Sequence, residues 1–292
     1  MFNEGVLLGF VTAICWGISP LLYRWGGIGL SPIEINFIRN TGALASVLLI
    51  NLILKTWDHL YVHLPIKGWV IFCISLILGL FIGDNFFFKG LKLIGVSRCT
   101  VVSSSYPIIT IAIAYFLFKE RITMKLLIAC LIVIWGIYLL YEKRGNYEAI
   151  TTSLKGYIIS MGAAISWGTS LALVKMVSYY FTPISFMTWR VGILLIITSI
   201  SVLLKKDILS TNIKNIKNWS ILSLGGTIGI GISYLAFIRA LQMAPVSQIG
   251  VITATSPLIT SFLATIFYKE RLGLRGSIGS VFIVTGSILA SI

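Results

Sequence analysis

Long apolar segments without a charged residue recur along this chain and restrict what it can fold into. One such run, Gly5 to Tyr23, extends over 19 residues, and another, Ala240 to Tyr268, extends over 29. A helix of about 20 mostly apolar residues is long enough to cross the hydrocarbon core of a bilayer. Only 11% of the residues are charged, against about 25% in soluble domains. The chain is therefore predicted to be a membrane protein.

The apolar runs divide into ten predicted membrane helices. Because they lack the alternating pattern of barrel strands, the predicted fold class is an all-α membrane protein. The first run is interpreted as a membrane helix and not as a signal peptide, since no basic segment precedes it. The break inside the 29-residue run is placed at Pro245, by its match to the first half. The predicted helices are 4–24, 32–54, 68–89, 95–118, 123–141, 155–177, 183–204, 218–240, 245–268 and 274–291.

The second half of the chain repeats the first at an offset of 150 or 151 residues. The segment CWGIS at 15–19 matches SWGTS at 166–170, and Lys119-Glu120-Arg121 matches Lys269-Glu270-Arg271. A unit of five helices is odd in number, so its second copy must enter the membrane from the opposite face. The sequence thus predicts two inverted five-helix repeats, 4–141 and 155–291, joined by a linker at 142–154. Other matched residues are Pro32 with Pro183, Arg39 with Arg190, and Pro107 with Pro257.

One segment carries a resemblance to a known family. SYLAFIRALQMAPVSQIGVITATSPLITSFLATIFYKERL, from Ser233 to Leu272, has an aromatic helix end, a Pro-Val turn, a Ser/Thr-rich proline helix and an acidic-basic turn. It resembles the drug/metabolite transporter superfamily, in the ten-helix branch with two EamA-type domains. That family commonly has Gly-Glu in the last turn, where both copies here have Lys-Glu. The resemblance implies a secondary transporter, and its substrates could be amino acids, sugars, nucleotide sugars, metabolites or drugs.

Three other classes of function are disfavoured. The net charge of +14 does not indicate nucleic-acid binding, because the basic residues fall almost wholly in the short gaps between apolar runs. No Gly-rich loop ending in Gly-Lys-Ser/Thr and no HExxH or nucleophile elbow is present, so an ATP motor and an enzyme are unsupported. No catalytic residue, metal site or cofactor is therefore predicted. The four cysteines are interpreted as buried small hydrophobes.

The pumps of the small multidrug-resistance branch, within the same superfamily, offer a further contrast. They carry a glutamate three residues before a glycine of the first helix. Ile14 and Ile165 occupy that place before Gly17 and Gly168. The resemblance therefore does not extend to their proton-coupled export of cationic drugs.

Polar groups at matching places in the two halves are the first candidates for substrate contacts. A proline within a helix frees a carbonyl one turn earlier, so Pro107 and Pro257 each combine hydroxyl groups with loosened backbone. Inverted repeats place the substrate site at their interface. Helix packing by small, locally bonded residues is the alternative explanation. The candidates are Ser103, Ser104 and Tyr106 in the first half and Thr253, Thr255 and Ser256 in the second.

Two tryptophans in mid-helix form a second matched pair. Trp16 and Trp167 each precede a glycine in the first helix of their half. A tryptophan at that depth is not an interfacial anchor, so either it lines a cavity or it packs in the core.

Charged residues within helices are the sharpest signal, because ionised groups in a bilayer are rare and functional. Arg39 lies roughly 10 Å along its helix from Pro32, in the same leaflet as Asp84, and the two are predicted to form an ion pair. At the 150-residue offset Asp84 matches Tyr234, so Arg190 lacks an equivalent carboxylate. Arg190 either snorkels to the headgroups or attracts an anionic group of the substrate.

The two Lys-Glu-Arg turns admit two interpretations. Their basic residues anchor the turns at the headgroups, with Thr123 capping the next helix and Glu120 favouring a helix N-terminus. Alternatively, the turns act as a gate.

These observations together predict a multi-pass protein of the cell membrane that exports a small polar metabolite, an amino acid or a related compound, by alternating access. An exchanger of anionic or phosphorylated metabolites is the alternative, and a membrane-embedded enzyme is the alternative from another class. The expected partners are a small-molecule substrate and the lipid bilayer, without nucleic acid. Protons are the candidate coupling ion, and a monomer and a homodimer both fit.

The orientation of the termini is left open by two indications that disagree. Fourteen basic residues fall in gaps after odd-numbered helices and seven in the opposite gaps, which by the positive-inside rule puts the termini outside. The family resemblance implies termini inside.

Overall fold

The computed structural model describes residues 3–141, 154–204, 211–267 and 274–291, and these are helical apart from short turns. Eight helical segments are long and apolar enough to cross a membrane, and Tyr106–Phe118 and Met124–Leu139 are two shorter apolar helices. The predicted all-α membrane fold is confirmed. The helices are α1 (Glu4–Gly26), α2 (Pro32–Leu54), α3 (Ile66–Leu76), α4 (Asp84–Ser103), α5 (Tyr106–Phe118), α6 (Met124–Tyr141), α7 (Leu154–Ser178), α8 (Pro183–Leu203), α9 (Ile216–Gly226), α10 (Ser233–Met243), α11 (Val246–Thr253), α12 (Ser256–Phe267) and α13 (Leu274–Ser291).

Side-chain caps start the matched helices α2 and α8. The Ser31 hydroxyl accepts a hydrogen bond from the Glu34 N–H, and the Glu34 carboxylate accepts one from the Ser31 N–H, a reciprocal capping box. Thr182 caps α8 through the Ser185 N–H. Each cap is followed by a proline, which lacks the N–H that would be unsatisfied in the first turn. The same local chemistry therefore starts the second helix of both halves.

The α4 segment conceals a reversal of the chain. The Cys99 thiol lies 3.4 Å from the carbonyl oxygen of Phe87, although twelve residues of straight helix would separate them by about 18 Å. The chain therefore doubles back between these two residues, as the predicted boundary between the third and fourth membrane helices requires.

The predicted helices 95–118 and 245–268 are wrong in one respect, since each is broken. The first is interrupted at 104–105 and the second at 254–255, before α5 and α12. Pro107 and Pro257 stand at the second position of these helices, where a missing N–H is tolerated. The prolines thus begin new helices and do not merely loosen continuous ones.

Two π-helical segments, Ile77–Gly83 and Thr227–Ile232, connect α3 to α4 and α9 to α10. They lie at matching places in the two halves. Such wide turns within helices are rare and are frequent at functional sites. Here they immediately precede Asp84 and Ser233.

Corresponding helices of the two halves run in opposite directions through the bundle. At the start of α1, the Asn3 side chain donates to the Met243 carbonyl, and at its end Trp25 packs edge-on against Phe267 at 5.5 Å. Since α1 has 23 residues, these contacts lie about 34 Å apart. Glu120 follows α5 and contacts Val246, beside Met243, so α5 and α12 end at opposite faces. The face with Asn3 is called the terminal face below, and the other the distal face.

Matched glycines bring α6 and α13 into close contact. A side chain on Gly136 would meet the carbonyl oxygen of Gly279, and one on Gly286 would meet that of Ala129. Small residues let helix backbones approach in this way within membranes. Because α6 and α13 are the last helices of the two halves, this contact joins one half to the other.

Candidate functional site

An ion pair inside the helical bundle forms the centre of the candidate site. The Nη2 atom of Arg39 in α2 lies 2.5 Å from Oδ2 of Asp84 in α4. The predicted pair is therefore present. Its side chains are only 7% and 13% exposed, and a charge so buried is tolerated when it is paired and hydrogen-bonded.

Asp84 is also bound from the second half of the chain. The indole Nε1 of Trp167 in α7 donates to Oδ1 of Asp84 at 3.1 Å. The guanidinium of Arg39 lies over the ring of Tyr23 in α1, 5.3 Å from its centre. One carboxylate thus connects α2, α4 and α7, and both of its oxygens accept a hydrogen bond.

The matched tryptophan, Trp16, also contacts the other half, although its hydrogen-bond partner is not Tyr234, the match of Asp84. Its Nε1 donates to the Ser233 hydroxyl in α10 at 3.1 Å. Its ring contacts the rings of Tyr234 and Phe237 at 5.6 and 5.3 Å between centres. Both tryptophans therefore join the halves by a directed hydrogen bond, in addition to packing.

Arg190 is fully buried, at 0% exposure, so the expectation that it snorkels to the headgroups is wrong. Its guanidinium donates to the hydroxyl and the carbonyl of Ser75 at 2.9 and 3.3 Å. It also lies between two rings, 5.6 Å from the centre of Phe186 and 5.7 Å from that of Tyr234. These contacts hold the side chain inside the protein, where no carboxylate of the described residues pairs with it.

The six candidate residues near Pro107 and Pro257 differ in their hydrogen-bond partners and burial. Tyr106 and Thr253 are brought together across the two helix breaks, with 3.1 Å between their oxygens. Ser103 and Thr255 donate to carbonyls of their own helical turns, at 2.7 Å each. Ser104 is 7% exposed, and Ser256 begins α12. The role of all six residues in substrate binding stays a prediction.

Glu120 makes contacts that the sequence analysis did not assign. Its carboxylate accepts hydrogen bonds from the N–H groups of Val246 and Ser247 at 2.9 and 3.2 Å, and from the Ser247 hydroxyl at 2.5 Å. The carboxylate therefore caps α11 of the second half, whereas the predicted cap of α6 is made by Thr123, which accepts from the Leu126 N–H. Residues 268–273, which include the second Lys-Glu-Arg turn, lie outside the described residues.

Two asparagines of α2, Asn36 and Asn40, were not among the predicted site residues. Both amide atoms of Asn40, Oδ1 of Asn36 and Nε of Arg39 are buried without a hydrogen-bond partner. Among the described residues, the other buried side-chain atoms in this condition are Nε of Arg190 and Oγ of Ser261. The sequence does show Asn36 and Asn40 one turn apart in an apolar helix, and this spacing could have indicated buried polar groups on one helix face.

The described residues offer no cluster of three or more His, Cys, Asp or Glu that could hold a metal ion. The four cysteines are free thiols, and Cys15, Cys99 and Cys130 are buried.

Ten apolar helical segments among the described residues, together with a buried ion pair that the second half also contacts, define a multi-pass membrane protein. The chain belongs to the EamA-like transporter family, whose pattern matches residues 3–142 and 154–292. The predicted repeat boundaries and the linker stay predictions, and residues 142–153 of that linker lie outside the described residues. The family is not one of enzymes.

Several relatives are described as uncharacterized transporters. An uncharacterized transporter of Archaeoglobus fulgidus is 27% identical over 97% of this chain and 96% of its own length. The uncharacterized inner membrane transporter YhbE of Escherichia coli K12 is 22% identical over 99% of this chain and 91% of its own. A solved crystal structure superposes with a TM-score of 0.83 over 98% of this chain and 96% of its own, at 18% identity. That last likeness concerns the fold alone.

Proposed function

We propose that this protein exports a small polar metabolite, an amino acid or a related compound, by alternating access. The observation that carries the proposal is the Arg39–Asp84 pair, which is buried in the bundle and bound by Trp167 of the other half. Ionised groups inside membrane proteins mark substrate and ion pathways. The substrate would bind beside this pair, among residues that both halves supply.

If the two halves move apart at the terminal face, a specific contact between them must break. There the Glu120 carboxylate of the first half holds the start of α11 in the second half by three hydrogen bonds. An anionic group at a helix N-terminus is also favoured by the helix dipole. This contact supports the gate interpretation of the first Lys-Glu-Arg turn, since opening of the terminal face would require its release.

Asp84 is the candidate proton carrier. It is an acid within the bundle, and Arg39 and the indole of Trp167 both donate hydrogen bonds to its carboxylate. Protonation would remove the charge that attracts Arg39, and would thereby weaken a contact between α2 and α4. A proton gradient could then drive the exchange of substrate for a proton.

A second candidate, exchange of anionic metabolites, is favoured by one observation. Arg190 is buried among Ser75, Phe186 and Tyr234, and none of these residues neutralises its charge. A carboxylate or phosphate of a substrate would do so if the helices separated.

Counterflow in proteoliposomes tests the proposal. Purified protein would be reconstituted in vesicles loaded with single amino acids, sugar phosphates or inorganic phosphate, and uptake of the same labelled solute would be followed with and without a pH gradient. We expect accumulation of a zwitterionic solute, chemically unchanged, that increases with the gradient. Uptake of phosphate compounds alone would favour the second candidate, and no uptake of any solute in this panel would contradict both.

A further inference from the structure

We propose that Asn36, Arg39 and Asn40 form a binding site on α2 for the amino and carboxyl groups of a zwitterionic substrate. This inference rests on the proposed transport function and names the chemistry of its site. Four of the six buried, unpartnered polar side-chain atoms of the described residues belong to these three side chains. Buried polar groups normally have a partner, so this concentration of exceptions within five residues requires an explanation, and a bound ligand would supply one.

Asn36, Arg39 and Asn40, called the asparagine row below, lie at the face of α2 that is turned toward the inside of the bundle. Asn36, Asn40, Ala43 and Val47 follow the spacing of one helix face, and their exposures are 5%, 0%, 0% and 0%. That face is therefore covered by protein and not by lipid. Arg39 lies beside it and reaches the Asp84 carboxylate.

The position of the row along α2 fits a substrate path. Asn36 is the fifth residue of the helix, and α2 begins at the distal face. Arg39 and Asn40 lie about one turn deeper. The row thus leads from the distal end of α2 to the Arg39–Asp84 pair.

The unpartnered atoms include both donors and acceptors. Nε of Arg39 and Nδ2 of Asn40 can donate, whereas Oδ1 of Asn36 and Oδ1 of Asn40 can accept. A carboxylate would accept from the first two atoms, and an ammonium group would donate to the other two. A phosphate offers acceptors mainly, so it would leave the asparagine oxygens without a donor. The balance of donors and acceptors therefore favours a zwitterion over a phosphorylated anion.

Asn40→Leu is the decisive variant, because leucine has a similar volume and removes both amide atoms. If the amide is only a buried polar group without a function, its removal should stabilise the protein and leave substrate binding unchanged. If it binds substrate, affinity should fall although stability does not. The two explanations thus predict different combinations of two measurements.

Asn51→Leu is the matched control on the same helix. Asn51 is also 0% exposed, but its amide donates to the Val47 carbonyl and the Thr188 hydroxyl and accepts from the Thr56 hydroxyl. Its replacement should lower the thermal stability and leave the affinity for solutes unchanged.

The experiment measures thermal stabilisation of the purified wild type and both variants in detergent by each of the twenty common L-amino acids. The corresponding amino alcohols, the N-acetylated amino acids and inorganic phosphate serve as comparison probes. We expect stabilisation by at least one amino acid, loss of it when either charged group is removed, and an apparent affinity about tenfold or more weaker in Asn40→Leu. That factor corresponds to the loss of one hydrogen bond to a charged group.

Three outcomes would overturn the inference. They are stabilisation by phosphate but by no amino acid, an unchanged affinity in Asn40→Leu, and an equal loss of affinity in Asn51→Leu. Because binding is measured without transport, these outcomes are independent of the flux in proteoliposomes. A chain that moves another solute but binds no zwitterion would retain the proposed transport and lose this site.

Discussion

Trp167 donates a hydrogen bond to Asp84 across the boundary between the two repeats, with 3.1 Å between indole nitrogen and carboxylate oxygen. The other oxygen of that carboxylate is occupied by Arg39. The charge of Asp84 is thus stabilised from both halves at once. Any movement of one half against the other must either carry this carboxylate along or separate it from a donor.

Asp84→Asn should leave Arg39 buried without a counter-charge and destabilise the protein by about 3–5 kcal/mol. Adding Arg39→Gln removes the orphaned charge and should recover part of that loss. Thermal unfolding in detergent and the amount of protein in the membrane would report both effects. A double variant no more stable than Asp84→Asn would contradict the assignment of the pair.

The two Lys-Glu-Arg turns should react from opposite sides of the membrane. In a cysteine-free background, single cysteines at Lys119 and Lys269 would be labelled in intact vesicles by an impermeant maleimide. Since α5 and α12 end at opposite faces, we expect one position to react from outside and the other only after permeabilisation. Labelling of both from one side would exclude the inverted repeat.

Glu120→Gln should loosen the terminal face, because the neutral amide can accept from fewer of the three donors at the start of α11. Ala244, next to that start, is 4% exposed. A cysteine placed there should react roughly tenfold faster with maleimide in the Glu120→Gln background, if about one charged hydrogen bond is lost. Glu4→Gln alters an exposed acid near the same face and is the control. Equal reaction rates in the two backgrounds would argue against a gate.

Arg190→Gln should weaken transport of anionic and zwitterionic solutes more than that of neutral ones, while Arg190→Lys, which keeps the charge, should retain the preference. The reason is that Arg190 carries a charge that none of its described contacts neutralises. Initial rates of transport in proteoliposomes, measured for anionic, zwitterionic and neutral solutes, would show whether the loss depends on solute charge. Equal losses for neutral and charged solutes at normal protein levels would remove Arg190 from the site.

The fold was predictable because hydropathy, prolines and the internal repeat all report on whole helices. The ion pair was predictable for a similar reason, since helix depth alone places Arg39 and Asp84 in one leaflet. What the sequence did not reveal depends on contacts between helices. Nothing local to Arg190 indicates that Ser75 and two rings enclose it, and nothing near Glu120 identifies Val246 as its partner.

The helix breaks and the π segments were missed for a different reason. Hydropathy is insensitive to the register of backbone hydrogen bonds, so a run such as Ile77–Gly83 reads like any other apolar helix. The break before α5 was suggested by Pro107 only as a loosening of the helix. The asparagine row on α2 was visible as residues, but its importance follows from burial, which the sequence does not state.

The mismatch between Asp84 and Tyr234 would have an energetic consequence for the proposed alternating-access cycle. In a perfectly duplicated chain, the inward-open and outward-open forms would be related by a two-fold rotation about an axis in the membrane plane and would have equal free energy. Here the ion pair strengthens one half only, whereas an aromatic enclosure of Arg190 occupies the other. A difference of a few kcal/mol would leave the minor form at roughly 0.1–10% of the population. If the protein works by the proposed alternating access, the substrate-free protein would therefore have a preferred resting orientation, because its two halves have diverged.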